Sequence, residues 1–241
     1  MAGTVKEEAV KLQANMGKLY DAGKQAEHDR FWDAFQQNGT LANYSAGFAG
    51  YGWTAETFCP KYDVIPTNAY QMFYCFNNSK TALDMVEHAK NHGFVLDFSK
   101  ATNMNNVFQG ASVSRLGVID ITSCGASVSA MFANDHNMHT IDELVIKSDG
   151  SQSVGNSFIG CSGLVNLKIN GVIGVTGWNF QYCVNLSKES ILSIINALSE
   201  AVSGMSITLS KTAVENAFGS TTANEWTTLI GTKDGWTFSL M

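Results

Sequence analysis

Two histidine pairs and five cysteines are the residues of this 241-residue chain with the most obvious capacity for chemistry. His88 and His92 stand four apart with Glu87 beside them, a spacing that places both imidazoles on one face of a helix. The run E-H-x-x-x-H lacks the H-E-x-x-H order that couples two zinc ligands to a catalytic base, and no third ligand is placed by the sequence. The pair reads as a solvated helix face, and no metal site is expected. His136 and His139, three apart in Asp135-His136-Asn137-Met138-His139, have no better claim.

The cysteines are Cys59, Cys75, Cys124, Cys161 and Cys183, an odd number with no C-x-x-C among them. That argues against a disulfide framework or a zinc cage. A Cys–His nucleophile needs a low-pKa thiolate in a polar cleft, and nothing in the pattern indicates one. Gly47-Phe48-Ala49-Gly50-Tyr51-Gly52 has its glycines in the wrong order for a dinucleotide loop, and there is no P-loop. Glycoside hydrolysis would need two converging carboxylates. Asp97, Asp120, Asp142 and Glu143 are scattered acids of the kind found on surfaces. The expectation is a protein that is not an enzyme and takes no cofactor.

The elements that must carry these residues form a repeat. Aligned on phenylalanine, the chain reads Asn106-Val107-Phe108-Gln109-Gly110, Ala130-Met131-Phe132-Ala133-Asn134, Asn156-Ser157-Phe158-Ile159-Gly160 and Trp178-Asn179-Phe180-Gln181-Tyr182, with a partial match at Gln71-Met72-Phe73-Tyr74-Cys75. Apolar ladders follow: Val113, Leu116, Ile119, Ile121; then Met138, Ile141, Leu144, Ile146; then Leu164, Leu167, Ile169. The last two apolar positions of each ladder are two apart, as in a strand with one buried face. Stacked units of this length bury a core that one unit cannot bury alone. Cys161 and Cys183, each three after its phenylalanine, are expected to stack as small buried hydrophobes.

Alternation puts Ile119, Leu144 and Leu167, then Ile121, Ile146 and Ile169, inside. The outward rows are then Val118/Glu143/Asn166, Asp120/Val145/Lys168 and Thr122/Lys147/Asn170. The candidate binding face is therefore Glu143, Asn166, Asp120, Lys168, Thr122, Lys147 and Asn170, with Trp178 and Tyr182 beside the last rung either stacking on a sugar or packing into the fold. Its mixture of charge, amide and hydroxyl suits a glycan or a protein surface.

Charge is unevenly spread. Only 15% of residues are charged, well below the usual quarter, with a net charge of −6. Eleven of the charged residues lie between Val5 and Asp33. In that head Val5, Leu12, Leu19 and Ala26 recur at seven, with Ala9, Met16 and Gly23 four after the first three. This a/d pattern predicts helix–helix association and a homo-oligomer. The acidic balance argues against nucleic acid and anionic membranes as partners. No secretory h-region opens the sequence and no run of 18 apolar residues occurs, so synthesis in the cytoplasm without membrane insertion is expected.

Elsewhere the pattern predicts a helix over Thr81–His92 closing at Gly93, and a strand Phe94–Phe98. Toward the C-terminus it predicts a capped helix from Ser187 ending at Gly204, a strand Ile207–Leu209, helices near Ser210–Phe218 and Asn224–Ile230, and a strand Trp236–Leu240.

The rung F-x-x-C-x-x-L-x-x-[LI], clearest over Phe158–Leu167, resembles BspA-type leucine-rich repeats. The chain also resembles a family of repeat proteins encoded by phages and prophages of gut Firmicutes, through the head LYDAGKQAEHDRFWDAFQQNG, the bridge GWTAETFCPKYDVIPTNAYQMFY and a tail beginning LSKESILSIINALSEAV. The proline that usually follows a BspA strand is missing, which predicts irregularity. The resemblance implies an α+β protein: an N-terminal amphipathic helix (1–38) for assembly or attachment, a glycine-rich linker and N-terminal cap (39–100), a leucine-rich-repeat-like solenoid (101–186) and a helical and strand C-terminal cap (187–241). It implies a non-enzymatic, tail- or virion-associated structural protein. Its partners would be other virion proteins and a host cell-surface glycan or protein. The alternative is a bacterial repeat adhesin working outside any particle.

Overall fold

The computed structural model describes Arg30, Trp32, Asp33 and residues 44–50, 53–77 and 81–241. The heptad positions Val5, Leu12, Leu19 and Ala26 lie outside the described residues.

The phenylalanine repeat becomes a column of stacked turns. Residues two before and two after a phenylalanine take left-handed backbone: Ala46 and Gly50 about Phe48, Gln71 and Cys75 about Phe73, Asn106 and Gly110 about Phe108, Ala130 and Asn134 about Phe132. Such residues reverse the chain tightly around each ring. Each turn then hydrogen bonds to the next, with Phe48 N donating to Met72 O (2.8 Å), Phe73 N to Val107 O (2.7 Å), Phe108 N to Met131 O (2.7 Å) and Phe132 N to Ser157 O (3.1 Å). The rings follow the same order. Phe73 and Phe108 lie 5.0 Å apart and 2° from parallel, Phe108 and Phe132 6.2 Å, Phe132 and Phe158 5.6 Å, and Phe158 and Phe180 4.6 Å. All of them are fully buried.

The strands leave this column on one side. β1 (Leu83–Asp84), β2 (Val113–Asp120), β3 (Thr140–Val145) and β4 (Asn166–Asn170) form a parallel sheet in sequence order. Helix α1 (Met85–His92) follows β1 directly. Its N-cap Asp84 accepts from Glu87 N at 3.0 Å, and Gly93 closes it in left-handed conformation. A second parallel sheet runs β5 (Trp178–Phe180), β6 (Met205–Leu209), β7 (Trp236–Leu240). Helices α2 (Lys188–Ala197), α3 (Lys211–Phe218) and α4 (Asn224–Gly231) supply its crossovers.

This corrects the expected α+β leucine-rich-repeat-like solenoid with a separate terminal cap. The described residues form an α/β arrangement of two small parallel sheets, of four and three strands, with four helices. The break has a physical cause. The outer edge of β4 meets α2 instead of another strand, because Ser190 Oγ accepts from Leu167 N (2.8 Å) and Ser193 Oγ accepts from Ile169 N (2.9 Å). With those donors satisfied, β5 pairs with β6 instead. Gly171, just after β4, marks how tightly the chain turns away. Its φ is +130°, and a Cβ there would lie 2.3 Å from Ile146 O.

Register also differs from simple alternation. Leu116, Ile141 and Leu167 form one inward layer and Ile119, Leu144 and Ile169 the next, because β3 carries an extra residue between Ile141 and Leu144. Leu167 is therefore level with Ile141, not Leu144. Phe94–Phe98 is no strand; it makes the single β-bridge Val64 to Leu96, while Phe94 and Phe98 pack into the core. The helix expected over Thr81–His92 starts later, at Met85, since Leu83 and Asp84 pair with β2. The one expected to end at Gly204 stops at Ala197.

Candidate functional site

The outward face of the four-stranded sheet holds most of the candidate residues, but the bulge in β3 rearranges them. Arg115, Thr140 and Asn166 form one row, and Asp120, Val145 and Asn170 another. Val118 pairs with Glu143, and Lys168 reaches the same carboxylate at 2.7 Å. Arg115 holds Asp142 through two bonds, Nε to Oδ1 at 3.0 Å and Nη2 to Oδ2 at 2.9 Å, which raises the guanidinium pKa above its ordinary value. Asn166 donates to Thr140 Oγ1 at 3.3 Å. The two carboxylates at the bulge are each bound to their own cation, so they do not converge as a catalytic pair.

Not every expected residue belongs to this face. Thr122 lies past the strand, where its amide and hydroxyl both donate to Asp120 Oδ1 at 2.8 and 2.7 Å. Lys147 also follows its strand, and its amide donates to the buried Gln152. Trp178 is 1% exposed, so it packs against Phe180 and cannot stack on a sugar, while Tyr182 nearby is exposed. Asn166 and Lys168 instead line a cleft of about 400 Å³ between β3, β4 and α2, shared with Thr140, Ile141, Asp142, Leu167, Ser187 and Glu189. The serines that close the β4 edge also form its wall. The sequence carried no signal for the cleft, because β4 and α2 meet only in the fold.

Three of the thiols and one carboxyl are wholly structural. Cys124 donates to Ala101 O, Cys161 to Phe132 O and Cys183 to Phe158 O, the first two at 3.1 Å and the last at 3.7 Å. Burial pushes the Cys124 thiol up to about 11 and Cys183 to about 12, and Cys161 also well above its ordinary value. Thiols so held are protonated and inert as nucleophiles. Asp135 is fully enclosed; burial raises its carboxyl to about 8 although it accepts from Val113 N and Asn137 N.

A second constellation lies at the other end of the first sheet. Cys59, His88 and His92 each bring one donor atom within 4.8 Å of the others, the one such trio of metal-binding side chains among the described residues. The helix that carries both histidines was expected to show them to solvent, yet His88 is buried while His92 is exposed. Cys59 was the missing third partner. It comes from the turn after Thr54, distant in sequence, so spacing alone did not reveal it. His136 and His139 are both exposed and join no such group.

Beside α1 runs an apolar groove of about 310 Å³, lined by Met85, Val86, Phe94, Val95 and Val118 among others. Among the described residues no helix is long and apolar enough to cross a membrane. No family profile, curated protein or solved structure matches the chain.

Proposed function

We propose that the chain is a non-enzymatic structural protein of a phage or prophage particle that recognises a host or partner surface through the outward face of its four-stranded sheet. The observation that carries the reading is the self-neutralised polar face. Arg115 is paired with Asp142 and Lys168 with Glu143, leaving the exposed amides of Asn166 and Asn170 to meet a ligand. Such a surface discriminates by hydrogen bonding and shape, which suits a neutral glycan or a polar protein patch better than a charged polymer. Nucleophiles and acids elsewhere in the sheets are consumed by packing, in keeping with a binding role. The likeness of the head, bridge and tail segments to phage-encoded proteins supports the particle assignment.

The face is tested with the full chain carrying Asn166→Ala and Lys168→Ala together. Both side chains are exposed, so the melting temperature stays near that of the unaltered chain. Adsorption of the labelled protein to cells of the encoding bacterium falls by about tenfold or more, the equivalent of about 1.4 kcal/mol. Unchanged adsorption by the folded variant removes the face from the account.

A further inference from the structure

We propose that Cys59, His88 and His92 form a binding site for one divalent transition metal ion, zinc by the chemistry of its donors, which ties the Thr54–Pro60 turn to helix α1. One thiolate and two imidazoles are the borderline-soft set that zinc prefers over the all-oxygen shells of magnesium and calcium. The geometry is close to what the ion requires. Cys59 Sγ lies 3.8 Å from His92 Nε2, and all three donors fall within 4.8 Å of one another. Tetrahedral zinc, with bonds of about 2.0–2.3 Å, holds neighbouring donors about 3.3–3.6 Å apart. For the Cys59–His92 pair that gap is a few tenths of an ångström, within reach of a rotation of His92, which is exposed and sits in the last turn of its helix.

The rest of the site is already rigid. His88 and His92 project from one face of a helix capped at both ends by Asp84 and Gly93, and their rings are 4.4 Å apart. His88 is clamped by Phe58, stacked at 6.1 Å, and by the edge of Phe94 at 6.0 Å. Its Nε2 meets the carbonyl of Phe58. Donation of that N–H to a backbone oxygen is the outer-shell contact that fixes a liganding imidazole, and it leaves the lone pair of Nδ1 for the ion. The same carbonyl belongs to the residue preceding Cys59, so one short peptide provides both a ligand and the support of another. Pro60 follows, and its ring restricts the backbone of Cys59.

Binding displaces the Cys59 thiol proton to solvent, leaving two neutral imidazoles and one thiolate around the ion, with water in the fourth position on the exposed side of His92. The net charge of the site is then +1. Glu56, in the same turn, is the nearest acid of that segment, and its carboxyl is held below the usual range first by the Thr54 hydroxyl and in smaller part by His88.

The test uses the full chain, reduced and stripped with a chelator, titrated with zinc and with cobalt(II). One equivalent of either ion binds, zinc raises the melting temperature, and the cobalt form shows a near-ultraviolet thiolate-to-metal charge-transfer band. Cys59→Ser abolishes the band. His92→Gln, whose apo melting temperature is measured alongside as a check on folding, weakens zinc binding by more than the roughly 10- to 100-fold typical of outer-shell changes. Zinc affinity also falls about tenfold per pH unit on acidification, following the thiol proton. Absence of stoichiometric uptake overturns the site, as does uptake that is unaltered in His92→Gln. Neither result bears on host adsorption, so the two proposals fail separately.

Discussion

Asp135 is wholly enclosed beneath the start of β2, and its two oxygens accept from Val113 N and Asn137 N at 3.2 Å each. Burial outweighs those bonds and lifts its carboxyl from 3.8 to about 8. Below about pH 4 the native and unfolded chains both hold the proton. Between about pH 4 and about pH 8 the unfolded chain ionises while the native one does not, so this residue's contribution to stability falls as pH rises, and levels off above that window. Asp135→Asn cannot titrate. Its stability relative to the unaltered chain should rise steadily across that window in urea denaturation, and a difference that stays constant with pH would show that the carboxyl is not held neutral. The cysteines show the same logic. Their rung spacing was legible in the sequence as a packing pattern, and Cys161 and Cys183 do stack on successive turns, because a position repeated in a stacked unit meets the same neighbours each time. Cys59 lies outside that repeat, and its partners 29 and 33 residues away were not legible from spacing.

Among the elements, β4 and α2 decide where one sheet stops and the other begins. Ser190 is the central piece: its hydroxyl accepts from Leu167 N and donates to Val165 O, both at 2.8 Å. Ser190→Ala strands the buried Leu167 amide, while Val165 O keeps Ser187 N at 2.9 Å, and should cost about 1–3 kcal/mol in equilibrium unfolding. Ser193→Ala, which frees one partly exposed amide, should cost less. A Ser190→Ala variant within about 0.5 kcal/mol of the unaltered chain would mean that the strand edge is held by packing alone. The local elements here were largely readable. Ser187 caps α2, Ser210 caps α3, and β7 spans Trp236–Leu240 as the alternation of Trp236 and Phe238 suggests. What was not readable is how they pair. Serines 190 and 193 look like the polar side of an amphipathic helix, and only the fold brings them to a strand edge 23 and 24 residues back. The outward rows were misaligned for a similar reason. A bulge puts Ile141 and Leu144 three apart where their partners Leu167 and Ile169 are two apart, a difference hidden when the ladders are aligned on their last positions, and it moves Lys168 from the row of Asp120 to the carboxylate of Glu143.

At the scale of the whole molecule, a column of phenylalanines carries two parallel sheets whose polar side chains largely satisfy one another. The low charge follows from this arrangement: Asn, Ala and Gly hold many of the left-handed turn positions, where charged side chains are not used. A molecule built this way offers a sheet face whose charges are paired beside a cleft, and the role proposed for it is in a particle that meets other surfaces after lysis. Mass spectrometry of particles purified from the lysate of the encoding bacterium tests that assignment directly. The account predicts that the chain co-purifies with intact particles in fixed ratio to their structural proteins; its absence from particles, with the free chain left in the supernatant, would contradict it.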